Sequence, residues 1–262
     1  MIGKQSRILL LSLSCLLLPA AARSADAGAA TGDPVAAAIG SADRPAADRE
    51  QDDVRQPATI LAFLGVAPGW RVADLFSAGG YYTELLSRIV GPKGEVLAYN
   101  NPPYAKFAAK GIAERYAGKR LPNVKQVTAE VDALALAPDS LDGAIFIMSY
   151  HDMYWRPEDG SWNRTDPKQM LAKLHAALKD GGVVVVQDHV ANAGGDAAAV
   201  VEKLHRIDPA IIKRDFEAAG FKLDGESAAL AHPDDDHTKL VFDPAIRGKT
   251  DQVIYRFRKS AN

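Results

Sequence analysis

Two uninterrupted apolar runs constrain the fold of this chain more than any other feature of its sequence. The stretches "AIFIM" (144–148) and "VVVVQ" (183–187) show no alternation of apolar and polar residues. A strand of this kind has to be buried on both faces, which is typical of a mostly parallel sheet that is covered by helices. The sequence therefore predicts an α/β fold with this sheet at its centre.

The segments around these runs alternate between strand and helix patterns. This alternation predicts a doubly wound sheet. Two last strands follow with no obvious helix between them, so we expect an antiparallel hairpin at one edge, joined by a long connection over residues 228–251. We predict strands at 71–76, 95–100, 124–130, 141–149, 183–190, 221–227 and 252–259, and helices at 57–65, 81–90, 103–118, 167–179 and 209–220.

The N-terminus has the pattern of a secretory signal. Lys4 and Arg7 precede an apolar run over residues 8–20, and small residues follow it. The run is short for a membrane span, so we expect cleavage rather than an uncleaved anchor, and a periplasmic protein with no stable membrane insertion. The expected division is a signal peptide at 1–24, a flexible leader at 25–52 and one domain at 53–262.

Composition limits the classes of function. The formal net charge is -2 and the sequence pI is near 6.3, with no basic stripe of the kind that nucleic-acid binding needs. The single cysteine, Cys15, falls within the predicted signal peptide, so we expect no disulfide and no thiol nucleophile. We predict a small-molecule partner and no nucleic acid, and the sequence leaves the oligomeric state open.

The loop after the first strand is the first candidate site. Ligands of doubly wound sheets bind outside the carboxyl ends of the strands. Here Asp74 ends a strand, and the turn "FSAGG" leads into an amphipathic helix. Small residues let the backbone approach a ligand closely, and the N–H groups of the helix start attract anions. The alternative interpretation is a plain tight turn.

A second constellation lies at the ends of two later strands. His151-Asp152 follows the fourth strand and Asp188-His189 ends the fifth, and neighbouring strands lie only ~4.8 Å apart. Three interpretations compete: a general base that is oriented by a carboxylate, a divalent-metal site, or polar caps without chemistry. His205 and the Trp-containing loop 153–164 are secondary candidates, and we interpret "HPDDDH" (232–237) as a solvated acidic loop.

Three stretches together resemble a known family. "VADLFSAGGYYTELLSRIVGPKGEVLAYN" (72–100), "AEVDALALAPDSLDGAIFIMSYHDMYW" (129–155) and "MLAKLHAALKDGGVVVVQDH" (170–189) look like a class I S-adenosylmethionine-dependent methyltransferase. More narrowly, they resemble "predicted methyltransferase" proteins that carry signal peptides. The resemblance covers the chain from about residue 55 to its end. It implies a seven-stranded sheet of order 3-2-1-4-5-7-6 whose seventh strand is antiparallel.

The resemblance also implies a cofactor, S-adenosylmethionine, and its contacts. The methionine moiety would be lined by the first loop, the ribose would lie at the second strand end, the adenine at the third and the sulfonium at the fourth. The residues implied for the methionine moiety are Asp74, Ser77, Ala78, Gly79 and Gly80. Asn100 is implied for the ribose, Asp132 and Ala133 for the adenine, and Ser149 and Tyr150 for the sulfonium.

This sequence departs from the family pattern at three positions. Phe76 and Ala78 replace glycines of the usual D-x-G-x-G-x-G turn, and Asn100 replaces an acidic residue. An amide lacks the charge-assisted hydrogen bond of a carboxylate, which is roughly twice as strong as a neutral one. Two other hypotheses therefore stand beside a methyltransferase: a binding module that has lost transfer, and a metal-dependent enzyme that uses the two His/Asp pairs. A nicotinamide enzyme is disfavoured because G-x-G-x-x-G is absent.

Overall fold

The computed structural model describes residues 1–2, 32–162 and 165–260. Cys15 and nearly all of the predicted signal peptide lie outside the described residues, as does the leader up to residue 31. Residues from Gly32 onward form one compact unit. Within the described residues, no helix is long and apolar enough to cross a membrane.

The unit is built on one seven-stranded sheet of order β3-β2-β1-β4-β5-β7-β6. Neighbours from β3 to β5 are parallel, and β7 is antiparallel to both β5 and β6. The predicted fold class, strand order and final hairpin are therefore confirmed. The strands are β1 Arg71–Leu75, β2 Glu95–Asn100, β3 Val124–Thr128, β4 Leu141–Ile147, β5 Leu178–His189, β6 Phe221–Ser227 and β7 Gln252–Lys259.

The continuous apolar character of the central strands follows from their position between two cores. Val184 and Val186 belong to the hydrophobic core on one face of the sheet, and Val183 and Val185 belong to the core on the other. Successive side chains of a strand point to opposite faces, so both sets have to be apolar. The parts of β4 and β5 that lead to the site, residues 144–146 and 183–188, are buried throughout.

Helices cover both faces of the sheet. Asp166 and Asp208 accept hydrogen bonds from the first turns of their helices, each followed by a proline, as the sequence predicts. The predicted helix over 103–118 is divided at Ala108, and a helix after β5 was not predicted. The helices are α1 Pro34–Ile39, α2 Ala46–Arg49, α3 Asp52–Arg55, α4 Pro57–Leu64, α5 Tyr81–Val90, α6 Pro102–Phe107, α7 Ala109–Tyr116, α8 Pro167–Ala177, α9 Ala197–Leu204 and α10 Pro209–Ala218.

The second half of the predicted leader is folded, in contrast to the expectation of a flexible segment over 25–52. Val35 and Ala38 of α1 are buried in the same core as α5. The Arg44 guanidinium forms an ion pair with Asp52 at 2.7 Å, and Asp48 accepts from Arg115 of α7. The charged residues that suggested a flexible segment therefore form ion pairs, and these pairs hold α1–α3 against the rest of the domain.

Candidate functional site

The loop after β1 keeps a glycine-loop backbone although two of its glycines are replaced. Phe76, Ala78 and Gly80 have φ values of 56°, 46° and 80°. These are the three glycine positions of the D-x-G-x-G-x-G pattern. A residue with a Cβ atom is strained in this left-handed region, by roughly 1–2 kcal/mol. The chain therefore retains the path of the loop at a cost in stability.

The side chain of Phe76 explains how one of these strained residues is tolerated. Its ring is 3% exposed and lies under the loop, against Tyr99 at 5.4 Å and Phe146 at 6.3 Å between ring centroids. Burial of an aromatic side chain contributes more than the strain costs. The ring consequently points into the core, and it leaves the outer side of Ala78 and Gly79 uncovered.

Asn100 holds this loop in place. Its Oδ1 accepts from the N–H of Ala78 at 2.9 Å, and its Nδ2 donates to the Ser77 hydroxyl at 3.1 Å. The amide is buried. The predicted contact of Asn100 with a ribose is thus not what the structure shows, because both polar ends of the side chain are used on the loop. An acidic residue here would lack the donor that reaches Ser77.

A cavity of about 520 Å³ lies along the outer side of the loop. Ser77, Ala78, Gly79 and Gly80 form its floor, as the predicted cofactor contacts require. Its walls come from two other parts of the chain, the α2–α3 region and α7, through Asp48, Gln51, Arg55, Gly111, Glu114 and Arg115. The volume is within the range of about 300–1,000 Å³ that small-molecule sites occupy.

Helix α7 approaches the loop very closely. A Cβ atom on Gly111 would lie only 3.2 Å from the Cα of Gly79. The Nε of Arg115 donates to the Gly79 carbonyl at 2.9 Å, and its guanidinium also pairs with Asp48 and Glu84. Burial by itself would raise the pKa of Glu84. The interactions with Arg120, Arg88 and Arg115 outweigh this effect and lower the pKa to about 2. This charged network fixes the wall against the floor.

Asp74 lies beneath the same loop, at the end of β1. Its carboxylate accepts from the Thr83 hydroxyl at 2.6 Å and is 3% exposed. Burial raises its pKa to about 7, although the hydrogen bonds from Thr83 act in the opposite direction. A cationic group placed beside it would favour the ionised form. Asp74 supports the loop from below, and it does not line the cavity.

Asn101 supplies a polar atom that the protein itself does not satisfy. Its Oδ1 caps α6 by accepting from the N–H of Tyr104 at 2.9 Å. Its Nδ2 is buried and has no hydrogen-bond partner in the described structure. Buried donors are nearly always paired in native proteins, so this amide needs a partner that the described residues do not supply. The residue stands directly after Asn100, at the mouth of the sheet, and we had not predicted it.

Four of the other predicted cofactor contacts have a different outcome. Ser149 is buried between strands and lies 3.3 Å from the Leu75 carbonyl. Tyr150 does not line the cavity: its ring is in the core, 5.7 Å from Phe216, and its hydroxyl donates to Asp215. The reason is a 3₁₀ turn that follows β4 and rotates the side chain away from the mouth. Asp132 and Ala133 are exposed and do not line the cavity.

The histidine cluster at the ends of β4 and β5 is organised by Asp188. This carboxylate is fully buried and accepts from the Nδ1 of His151 at 2.7 Å. It also accepts from the backbone N–H groups of His151 and His189, at 2.9 and 2.8 Å. Ionic and hydrogen-bonding contacts with both histidines lower its pKa despite burial. Asp188 therefore fixes the orientation of the His151 ring and leaves its Nε2 free.

The free Nε2 of His151 faces two further groups. Asp152 Oδ1 lies 3.3 Å away, and the ring of His205 is 5.5 Å from the ring of His151. Burial lowers the pKa of His151, but Asp188 and Asp152 outweigh this and raise it to about 9. The imidazole is consequently protonated at neutral pH in the absence of a ligand. That state is the opposite of what a general base requires.

His189 does not join this cluster, although the sequence paired it with His151. Its Nδ1 is hydrogen bonded to Thr250 at 2.8 Å, and burial lowers its pKa to about 4. Its place is taken by His205, 54 positions along the chain from His151, which was only a secondary candidate. No spacing in the sequence signals this meeting, because it depends on the path of the chain after β5.

An aromatic layer covers the mouth above β1 and β4. The ring of Tyr104 from α6 lies between Phe76 at 5.6 Å and Trp162 at 5.4 Å, and its hydroxyl is hydrogen bonded to Asp152. Trp155 contacts both Trp162 and His205. The Trp-containing loop thus packs together with Tyr104 in this aromatic layer, and the sequence did not indicate Tyr104 as a member.

Comparison with known proteins agrees with this architecture. No protein-family model matches the chain. Ribosomal RNA small subunit methyltransferase H of Thermomicrobium roseum is 32% identical over 89 residues, which are 33% of this chain and 27% of that protein. The chain therefore matches only about a quarter of the length of this curated relative.

Solved structures match over most of the chain. An S-adenosylmethionine-dependent methyltransferase from Aquifex aeolicus superposes with a TM-score of 0.56 at 18% identity, covering 86% of this chain and 98% of the other. A putative sarcosine dimethylglycine methyltransferase from Galdieria sulphuraria gives 0.54 at 17% identity, with 81% and 86% covered. The [4+2]-cyclase SpnF gives 0.53 at 18% identity, with 83% and 82% covered.

The chain has the fold of the class I S-adenosylmethionine-dependent methyltransferases. Strand order, the antiparallel β7 and the cofactor-type loop after β1 all agree with this class. The cyclase among the similar structures illustrates that one such fold carries more than one reaction. The reaction of this chain has to be argued from its site.

Proposed function

We propose that this protein binds S-adenosylmethionine and transfers its methyl group to a small-molecule acceptor. The observation that carries the proposal is the left-handed backbone at Phe76 and Ala78, which keeps the shape of a cofactor loop where the sequence has lost the glycines. Strained residues persist where the surrounding structure requires them, and they cluster at ligand sites.

The residues around the loop fit the proposed cofactor. The cavity of about 520 Å³ is large enough for it, Ser77–Gly80 form its floor, and the Nδ2 of the neighbouring Asn101 is a buried donor without a partner among the described residues. The cofactor supplies an electrophilic methyl group on a sulfonium. The chain supplies position: the floor of the loop, and the wall formed by α7 and the α2–α3 region.

Calorimetric titration with S-adenosylmethionine and with its demethylated product tests the binding. We expect one site per chain. Asn101→Asp keeps the cap of α6, since a carboxylate oxygen also accepts from Tyr104, but it removes the buried donor and should weaken binding. The matched control is Asn192→Asp, because Asn192 is exposed and its amide donates only to a loop carbonyl. Absence of heat at millimolar ligand contradicts the proposal.

A binding module without transfer is the second candidate, and one observation favours it. Tyr104 lies over the mouth between Phe76 and Trp162, in the space beside the end of β4 where the transferred group is expected. If the protein only binds its ligand, Tyr104→Phe should leave affinity unchanged and no acceptor should be methylated. If Tyr104 moves aside during transfer, Tyr104→Ala should bind the cofactor more tightly than the wild type.

We further propose that the protein acts in the periplasm. The support is the N-terminal pattern of Lys4 and Arg7 before an apolar run and small residues. Fractionation of cells that express the full chain, compared with a chain lacking residues 2–24, tests this. Equal recovery of both in the cytoplasm contradicts the proposal. An acidic protein with net charge -2 and an aromatic mouth fits a small acceptor rather than a nucleic acid.

A further inference from the structure

The side chains of His151, Asp152 and His205 form a compact set of ligand-type groups. Each offers one atom, and the three atoms lie within 4.8 Å of one another. The Nε2 of His151 and the Oδ1 of Asp152 are already 3.3 Å apart. A tetrahedral zinc ion with bonds of about 2.0–2.1 Å separates its ligand atoms by about 3.4 Å, so this pair has the required spacing.

His205 carries the independent sign of a missing partner. Its Nδ1 is buried and has no hydrogen-bond partner within the described part of the chain. Its backbone is also left-handed, with φ 50° and ψ 48°, at the end of α9. The left-handed backbone of this histidine lowers stability through strain. Its unpaired ring nitrogen lowers stability further, because it has lost its contact with water. A metal bond to that nitrogen would supply the missing partner.

The His151 ring is held from behind by a buried carboxylate, and the residue that follows His205 is a buried anchor of the chain. Asp188 accepts from the Nδ1 of His151, which leaves Nε2 as the ligand atom. Next to His205, the fully buried Arg206 pairs with Asp235 and donates to the carbonyls of Val190 and Lys239. Metal-binding histidines characteristically donate their other ring nitrogen to a carboxylate, as His151 does to Asp188, and this fixes the ring orientation.

Within the acidic stretch 232–237, interpreted as a solvated loop, Pro233, Asp234 and Asp236 are exposed but Asp235 is buried. Asp235 is 8% exposed, and it accepts from Arg206 and from the backbone N–H groups of His237 and Asp251. The long connection between β6 and β7 is thus anchored at the residue that follows His205.

We propose that His151 Nε2, Asp152 and His205 Nδ1 bind a divalent transition-metal ion. Two imidazoles and one carboxylate suit zinc and its neighbours, whereas magnesium and calcium prefer oxygen ligands. The set differs from the pairs that the sequence indicated, because Asp188 acts behind His151 and His189 is bound to Thr250. The site is independent of the proposed methyl transfer and can be tested without cofactor or acceptor.

Zinc titration of the chelator-treated protein, purified without a polyhistidine tag, tests the site. By calorimetry at pH 7 we expect one zinc per chain and no comparable binding of magnesium. His205→Asn removes the imidazole, and asparagine tolerates the left-handed backbone, so the fold should be kept. We expect at least about 100-fold weaker zinc binding, since even loss of a supporting residue behind a ligand costs 10–100-fold.

The matched control is His232→Asn, because His232 lies outside the cluster and is held through its backbone N–H. Asp152→Asn is a second variant of similar size that should also weaken binding. Far-ultraviolet circular dichroism reports whether each variant is folded. The proposal is overturned if the wild type binds no stoichiometric zinc below millimolar concentration, or if His205→Asn and Asp152→Asn, both folded, bind zinc as tightly as His232→Asn.

Discussion

Two regions at the same edge of the sheet define their sites by different means. The loop after β1 is defined by its backbone, because Phe76, Ala78 and Gly80 all have left-handed φ values although their side chains differ. The cluster after β4 and β5 is defined by side chains, because its geometry depends on the buried carboxylate of Asp188. A backbone-defined site tolerates substitution at a cost in strain, and a side-chain-defined site does not.

This difference bears on how substituted motifs are interpreted. In the loop, replacement of the glycines lowers the stability of the protein but leaves the backbone path of the cavity floor like that of a glycine loop. In the cluster, the loss of one carboxylate would change orientation, charge and ligand geometry together. Four measurements of stability distinguish the two regions.

The largest expected effect is at Asp188. Asp188→Ala removes a buried partner of His151 and two acceptors for backbone N–H groups, and we expect a loss of about 3–5 kcal/mol in the free energy of unfolding. Urea denaturation measures it. The control is Glu226→Ala, whose exposed pair with Lys213 should contribute at most about 1 kcal/mol. Equal effects of the two substitutions would mean that side chains do not define the cluster.

Phe76→Gly should destabilise the protein although it relieves a strained backbone. Loss of a buried phenylalanine costs about 3–5 kcal/mol, and relief of the left-handed conformation returns about 1, so we expect a net loss of about 2–4 kcal/mol. The same denaturation experiment measures it. A gain in stability would show that the ring contributes less to the core than its contacts with Tyr99 and Phe146 indicate.

Asp74 should make stability depend on pH. Its pKa in the folded protein is about 7, above the ordinary 3.8, so the folded state favours the protonated form. The associated stability is fully present below about pH 4 and is lost as pH rises through 7. Relative to Asp74→Asn, the wild type should lose roughly 2–3 kcal/mol between pH 5 and pH 7.5. A constant difference between the two proteins across this range would contradict the assignment.

The smallest expected effect has the opposite sign. Ala78→Gly removes a Cβ atom from a left-handed residue, so we expect a gain of about 1 kcal/mol in the free energy of unfolding, by urea denaturation. Ala113→Gly is the matched control, since Ala113 is exposed within α7 and the change should cost about 0.5–1 kcal/mol. If both substitutions destabilise the protein, the loop is not strained at Ala78.

The fold was predictable because its signals are local. Continuous apolar runs predicted the central strands, and Asp-Pro pairs predicted the starts of α8 and α10. The floor of the cavity was predictable for the same reason, since Ser77–Gly80 are consecutive. Tyr150 was not, because the 3₁₀ turn after β4 decides the direction of its ring, and the turn has no sequence signal of its own.

Contacts between distant parts of the chain account for the other errors. His205 reaches His151 only after β5 and α9 have been placed, and Arg206 is held by Asp235 from the far side of β6. The ion pairs of the leader likewise form with residues that follow it at a distance, such as Arg115. Composition alone therefore indicated a flexible segment where the structure has helices.

The wall that the α2–α3 region gives to the cavity has a practical consequence for where the chain is cut. A domain boundary chosen from sequence, at residue 53, would discard Asp48 and Gln51, which line the cavity, and Arg44, whose guanidinium is clamped to Asp52. Such a shortened protein would keep the entire sheet and the loop. It would nevertheless lack one wall of the cavity. A ligand screen on the shortened protein would therefore measure a weak affinity that is caused by the truncation.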